Sequence, residues 1–200
     1  MSQELKNTYY LMRHGRSESN DLEIVASSPK GSLHGYGLTE FGRRQVQTAA
    51  QQFSQCISDA PIIYSSDFMR TLQTAQAVAE RYGVDITTDI RLRERKLGDL
   101  DGASIERYYQ VWGHDPAPDF CPFGAESLDQ MTARMWSVVL DIEKVHRGKI
   151  ILIVSHGDPL VGLNSYYMYG KYRPAIKYIG NAEIRRIDES SPFVLVDQTP

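Results

Sequence analysis

A chain of 200 residues that is 42% hydrophobic can enclose one well-packed core, as one domain or as one domain with an elaborated loop. Its net charge of −3 and pI near 6.0 argue against nucleic-acid and membrane partners, because a broad cationic surface is missing. Cys56 and Cys121 lack Cys-x-x-Cys spacing, the stretch from Met1 to Asn7 is polar, and no apolar run is long enough to span a bilayer, so the expectation is a cytoplasmic protein with reduced thiols.

In chain order, Thr8 to Met12 reads as a strand, and Asp21 to Gly37, rich in Ser and Gly, as a long loop. Thr39 is placed to cap a helix in which Val46, Ala49, Ala50, Phe53 and Ile57 recur at helical spacing. Pro61 introduces a strand from Ile62 to Ser65. Met69 to Tyr82 follows as a helix with Leu72, Ala75, Ala79 and Tyr82 on one face and Gly83 just past its end. Asp85 to Thr87 reads as a short strand. From Gly98 to Gly124 periodicity weakens and Tyr108, Tyr109, Trp112, Phe120 and Phe123 gather, which suggests a lid-like insertion around 98–126, with the aromatics as its own small core or as a cover for a ligand. Leu128, Met131, Met135, Val138, Ile142 and Val145 then form a stripe on a helix from Ser127 to about Val145. Ile150 to Val154 is a buried strand, a helix starts near Pro159, and Ala182 to Ile187 and Phe193 to Val196 are closing strands joined by the turn from Asp188 to Pro192.

Strands interleaved with helices predict an α/β fold, a three-layer α/β/α sandwich covered on both faces, formed by the whole chain, 1–200, as a single domain. The direct strand-to-strand succession at the end makes the central sheet mixed, though mostly parallel.

Two of these strands end in histidine. Tyr10-Leu11-Met12 runs into Arg13-His14-Gly15-Arg16-Ser17, and Ile151-Leu152-Ile153-Val154 into Ser155-His156-Gly157-Asp158. Open α/β sheets place their ligand crevice at the carboxyl ends of strands. Histidine is substantially neutral near pH 7 and so available as a nucleophile, while arginine offers fixed charge and several donors to a phosphoryl group. Arg70, at the start of the helix after the second strand, can face the same anion together with the helix N-terminus. Glu94 stands among Arg93, Arg95 and Lys96, and a bound phosphate would raise its pKa by like charge, which suits a proton donor. For Arg16, Arg91, Arg93, Arg95 and Lys96 a solvated surface is the plainer reading of most. Lys96 and Arg16 are also candidates for holding a second acidic group. His34, His114 and His146 lack ligand spacing, so no metal site is expected.

These parts together resemble the histidine phosphatase superfamily, in the branch of phosphoglycerate mutase-like proteins. Arg13, His14, Gly15, Ser17 and Asn20 match its opening RHG pattern; Leu38-Thr39 with Gly42 and Gln45, then Ser65-Ser66 with Arg70 and Gln73-Thr74-Ala75, resemble its next elements. Leu92-x-Glu94 with Gly98 and Gly102 resembles the acid-bearing element, and Ser155-His156-Gly157 the closing one. The resemblance implies that His14 becomes a phosphohistidine while Arg13, Arg70 and His156 hold the phosphoryl oxygens. Glu94 would protonate the leaving group and then activate water, and Ser17, Asn20 and Gly157 would complete the substrate-binding set. Neither cofactor nor metal is implied; the partner would be a small phosphorylated metabolite. Oligomeric state is not legible.

Mutases of the branch carry a Tyr-Gly-x-Leu-x-Gly-Leu-Asn-Lys-like run and an Arg-Arg pair after the acidic residue, and neither is present between Glu94 and Ser127 here. Pro122-Phe123-Gly124-Ala125-Glu126-Ser127 instead resembles the Pro-Gly-Gly-Glu-Ser element of the phosphatases, with Ala125 at a glycine position. Asp158 replaces an asparagine that mutases often have, and should repel a highly anionic ligand unless a cation neutralises it. The expectation is therefore a metal-independent phosphomonoesterase. Mutase-type phosphotransfer and a non-catalytic phospho-ligand-binding regulatory module are the alternatives.

Overall fold

The structure, a computed structural model, describes residues 4–112, 119, 121–172, 177–189 and 191–200, with the side chains of 111 and 112 excepted. A six-stranded sheet runs through its centre, in the order β3-β2-β4-β1-β5-β6. Strands β1 (Thr8–Arg13), β2 (Ile62–Ser65), β3 (Ile86–Thr88) and β4 (Ile150–Ser155) are parallel, while β5 (Ile184–Arg186) and β6 (Pro192–Val194) continue the sheet antiparallel. The sheet is thus mixed, as the late strand-to-strand succession predicts.

Alternation along the strands divides the core in two. Tyr10, Met12, Ile63, Leu152 and Val154 face α3 (Glu40–Cys56) and α4 (Met69–Tyr82). Tyr9, Leu11, Ile151 and Ile153 face α6 (Leu128–Val145) and α7 (Gly157–Tyr169). Both faces are covered, which is why these strands read as continuous apolar runs. On the first face Phe53 is fully buried and meets Tyr10 edge-on at 5.1 Å between ring centres. Removing a side chain of that size from water contributes about 1.5–3 kcal/mol.

Local chemistry sets the helix ends. Thr39 accepts a hydrogen bond from Gly42 N at 3.0 Å and Ser127 one from Gln130 N at 3.1 Å, each satisfying a donor that the first turn leaves open. Gly83 closes α4 at φ +65°, a left-handed conformation that glycine adopts without a Cβ penalty. The last strong helix begins at Gly157 with His156 as its cap, so Pro159 lies inside its first turn rather than opening it.

Several expectations are corrected. Val145 is 70% exposed, because α6 ends there and its stripe is completed by Trp136 and Val139. The region from Asp21 to Gly37 contains a short helix α2 (Pro29–Ser32), preceded by α1 (Glu18–Asp21). Within the predicted insertion, weak periodicity concealed a helix, α5 (Ile105–Trp112), flanked by 3-10 turns at Gly98–Leu100 and Pro122–Gly124. Tyr109 and Phe123 are exposed, so they do not form a private core; Tyr108 instead packs beside Val25, Leu97 and Leu100. The side chain of Trp112 and all of Phe120 lie outside the described residues, as does His114.

The turn after β1 lies tightly on α3. A Cβ on Gly42 would come within 1.9 Å of Arg16 O, and one on Gly15 within 2.7 Å of Val46 Cγ1. Gly15 therefore serves helix packing as much as any ligand. Gly42→Ala should destabilise the fold by about 3 kcal/mol, the upper part of the range for overpacking. Gly83→Ala, with open space around it, should cost only about 1 kcal/mol through its left-handed backbone. Urea midpoints of the two variants check the contrast; equal losses would contradict it.

Candidate active site

The pairing of β1 with β4 builds the site. Their register sets Arg13 opposite Ser155, and His14 N donates to Ser155 O at 3.1 Å. The next residues, His14 and His156, thereby leave the sheet side by side with ring centres 5.2 Å apart. Both rings are buried.

The hydrogen bonds of His14 define its tautomer. Nδ1 lies 2.8 Å from Gly15 O, which can only accept, so Nδ1 carries the hydrogen. Nε2 accepts from Arg70 Nε at 3.2 Å and is the ring's lone-pair nitrogen. Burial, then the charges of Arg70 and Arg13, hold the imidazole pKa well below its ordinary 6.5. His14 is a neutral base near pH 7, with its lone pair turned toward Arg70.

Arg70 comes from the first turn of α4 and is 2% exposed. Its Nη2 donates to Ala26 O at 2.9 Å, and Nη1 has no hydrogen-bond partner among the described residues. Burial lowers its pKa to about 10, so the guanidinium keeps its charge at neutral pH. Thr74 Oγ1 joins α4 to the β1 turn, accepting from Gly15 N at 3.1 Å and donating to Arg70 O at 2.7 Å. Arg13 gives Nη1 to Ile179 O at 3.1 Å and lies 4.9 Å over the ring of Tyr178. Its Nε is likewise buried without a partner among the described residues.

His156 is oriented by Ser66, whose hydroxyl is 3.0 Å from Nε2. Ser66 Oγ already accepts from Phe68 N, so its own proton can go to Nε2 and leave hydrogen on Nδ1. That Nδ1 is also unpartnered among the described residues and stands 4.0 Å from Glu94 Oε2. Burial, then Arg70 and His14, lower the His156 pKa well below 6.5. Buried N–H groups are seldom left without acceptors; Arg13 and Arg70 line one pocket, and His156, though not part of its lining, stands beside His14 and Glu94, which are, so the three together suit an anion with several oxygens.

Glu94 lines this pocket with Arg13, His14 and Arg70. Its pKa is raised by burial, against the opposing pull of Arg70, the Arg95 backbone N–H and Arg13. Desolvation thus supplies a shift that sequence reasoning had assigned to a bound phosphate. The surrounding cations are also rearranged. Arg95 is fully buried and donates to Glu126 O, while Arg93 pairs with Asp67 at 2.6 Å and Arg91 with Asp89 at 2.7 Å, so a solvated surface is wrong for Arg95 and incomplete for the others.

Of the remaining sequence candidates, Asn20 lines the pocket and Ser17 does not. Ser17 is buried behind it, donating Oγ to Asn20 Oδ1 at 3.0 Å, and so fixes the side chain that does face the site. Gly157 makes space: a Cβ there would fall 2.0 Å from the Tyr178 hydroxyl.

Several contributors are invisible at the sequence level. Arg134, on α6, donates to the carbonyls of Arg91, Arg93 and Glu94 at 2.6, 2.8 and 3.1 Å, and forks onto the Glu126 carboxylate at 2.6 and 2.8 Å. It holds the strand-less segment that carries Glu94. Arg185, fully buried, pairs with Glu183 at 2.6 Å and donates to Lys177 O and Tyr178 O, which seats Tyr178 beneath Arg13. Asn181 Nδ2 donates to His14 O at 3.1 Å. Glu126 of the Glu-Ser element was the available signal for Arg134, since a half-buried carboxylate requires a donor; the other two had none.

The histidine phosphatase superfamily (branch 1) matches residues 9–191 of this sequence. The chain belongs to the histidine phosphatase superfamily. It is 32% identical over 179 residues to phosphoglycerate mutase-like protein 4 of Arabidopsis thaliana, covering 84% of this chain and 72% of that protein. It is 31% identical over 170 residues to the 2,3-bisphosphoglycerate-dependent phosphoglycerate mutase of Brucella anthropi, covering 80% of each. Among solved structures, a mycobacterial glucosyl-3-phosphoglycerate phosphatase superposes with TM-score 0.78 at 24% identity over 88% of this chain and 90% of the other. YhfR of Bacillus stearothermophilus does so with TM-score 0.72 at 25% identity over 96% of each. The fold is that of phosphoglycerate mutase-like proteins. No helix among the described residues is long and apolar enough to cross a membrane.

Both imidazoles should titrate below pH 6.5 in the folded protein. The unfolded chain binds protons at these positions from about 6.5 downward while the folded one resists them, so their contribution to stability is full above that pH and declines below it. Ring-proton NMR across pH 4.5 to 8 measures this directly, and a His14 midpoint at or above 6.5 would refute the assignment.

Proposed function

We propose that this protein is a metal-independent phosphomonoesterase that hydrolyses a small phosphorylated metabolite through a phosphohistidine on His14. The observation that carries this reading is the neutral His14 with Nε2 facing Arg70, in one pocket with the Glu94 carboxyl group, whose pKa burial raises.

His14 Nε2 attacks phosphorus, the ester P–O bond breaks, and the proton of the Glu94 carboxyl goes to the departing oxygen. In the second step Glu94, now a carboxylate, takes a proton from water; the water oxygen bonds to phosphorus, the P–N bond breaks, and inorganic phosphate and neutral His14 are released. The same carboxyl serves both directions. Arg13, Arg70 and His156 donate to the equatorial oxygens. An arginine about 4 Å from a phosphoryl charge interacts with it by about 4 kcal/mol at an effective dielectric of 20, before desolvation is subtracted. Two such side chains supply the cationic stabilisation that other phosphoryl-transfer sites draw from divalent ions.

A phosphoglycerate mutase activity is the second reading, favoured by the names of the curated relatives. Both reactions share the phosphohistidine and differ in whether it is transferred to water or to a second alcohol. The absence of an Arg-Arg pair between Glu94 and Ser127 and the presence of Asp158 support hydrolysis. Incubation with 3-phosphoglycerate separates them: inorganic phosphate marks a phosphatase, and the 2-isomer a mutase.

Wild-type protein given an aryl phosphate should form a phosphoenzyme that survives alkaline quenching and is lost in acid, and His14→Ala should form none and have no turnover. Unchanged turnover in His14→Ala would sink the proposal. Glu94→Gln should slow hydrolysis of an alkyl phosphate by about 10²- to 10⁴-fold, the usual range for a lost proton donor. Arg134→Met should lower kcat by roughly 10- to 100-fold while KM stays close to wild type, since the donor is displaced but the phosphate cradle is not. Steady-state kinetics of that variant decide whether Arg134 positions Glu94 or merely braces the fold.

A further inference from the structure

Arg13 and His14 are held from one side by a segment that has no regular structure of its own. Between residues 177 and 183 the chain forms neither helix nor strand, yet Ile179 O accepts from Arg13 Nη1, the Tyr178 ring lies under the Arg13 guanidinium, and Asn181 Nδ2 donates to His14 O. Ala182 N adds bonds to Arg13 O and His14 O at 3.1 and 3.2 Å. Ala182 itself adopts φ +56°, a left-handed conformation that is unfavourable for a residue with a Cβ and persists where its surroundings impose it.

Those surroundings include the ion pair of Glu183 and Arg185, both buried at the edge of β5. Its other bonds among the described residues run to the same segment: Glu183 Oε2 accepts from Gly180 N at 2.9 Å, and Arg185 donates Nη1 to Lys177 O at 2.7 Å and Nη2 to Tyr178 O at 3.3 Å. Stability alone is a weak reason for such a pair, because two buried charges lose much of their attraction to lost hydration, and apolar side chains of similar volume often serve as well. A guanidinium has what apolar groups lack, several donors in one fixed plane that hold two carbonyls at set positions. The carbonyls it holds directly precede Ile179, the anchor of Arg13. Arg13 lines the pocket with His14, and its Nε is buried with no partner among the described residues.

We infer that Glu183 and Arg185 are positioning residues for phosphoryl binding: their ion pair fixes the segment 177–183, and the segment fixes the direction in which Arg13 presents its donors. The inference rests on the reading of the pocket as a phosphoryl site and adds the device that aims one of its two arginines.

Arg185→Met alone leaves an unpaired buried carboxylate, so the informative variant is Glu183→Gln with Arg185→Met, which removes both charges, nearly keeps the volume and leaves an acceptor for Gly180 N. NMR titration with inorganic phosphate should show this double variant binding about tenfold more weakly than wild type, and its kcat/KM for an aryl phosphate should fall roughly 10- to 100-fold, the scale of loss for a displacement of about 1 Å. In an Arg13→Met background the same two changes should alter phosphate binding by less than about twofold, because the route through Arg13 is already gone. At saturating phosphate the Arg13 Nε–H signal, assigned by its absence from Arg13→Met, should shift in wild type and stay near its free position in the double variant. Equal weakening in both backgrounds would make the pair a brace for the fold and overturn the inference, as would wild-type affinity in the folded double variant. Should that variant not fold, Arg185→Lys, which keeps the charge but loses the fork onto Lys177 and Tyr178, is read in the same cycle. A protein that hydrolyses no ester but shows this coupling loses the phosphatase reading and keeps the inference; one that hydrolyses without the coupling does the reverse.

Discussion

Everything at the candidate site depends on the register between β1 and β4. With Arg13 opposite Ser155, the chain turns out of both strands at the same level, and two histidines meet. A slip of one residue would exchange the faces of every side chain in a strand, which the two fully buried clusters on either side of the sheet forbid. Hydrophobic burial across the whole sheet thus fixes the distance between two polar rings. No local interaction at the rings themselves could do this as firmly.

Around that fixed pair, low dielectric does the electrostatic work. The same burial lowers the pKa of both histidines, raises that of Glu94 and lowers that of Arg70, yet leaves Arg70 charged because its starting value is so high. A neutral ring and a cation therefore coexist near neutrality beside a carboxyl group that holds its proton to higher pH than it would in water. Each would be unremarkable in water.

What could be read from the sequence was whatever leaves a local signature. The apolar runs ending at Met12 and Val154, the Thr39 and Ser127 caps, and Gly83 are decided by nearby residues, and the corresponding elements lie where their patterns place them. The same holds for His14, His156, Arg70 and Glu94, which stand at element ends or in a distinctive charged run. Long-range contacts leave no such trace. Nothing near Arg134 announces three carbonyls that are about forty residues away in sequence, and nothing near Arg185 announces Tyr178 beneath Arg13. The run Arg93-Glu94-Arg95-Lys96 shows the converse error: four adjacent charges look alike in sequence, but the backbone sends one into the core, one to Asp67, one to the pocket and one to solvent. Helix α5 was missed because a two-turn element over a small hydrophobic cluster needs too few apolar positions to show a period.

The attachment of Glu94 separates it from its partners. His14, His156 and Arg70 are rooted in the sheet and its flanking helix, whereas Glu94 belongs to an irregular strap fastened by Arg134 and by Ser155 Oγ to Leu92 O. A scaffold divided in this way is open to evolutionary change in two independent parts. Under the proposed reaction, substitutions or length changes in the strap and in α5 would adapt the donor to new alcohols, while the frame proposed to receive phosphorus would be inherited unaltered.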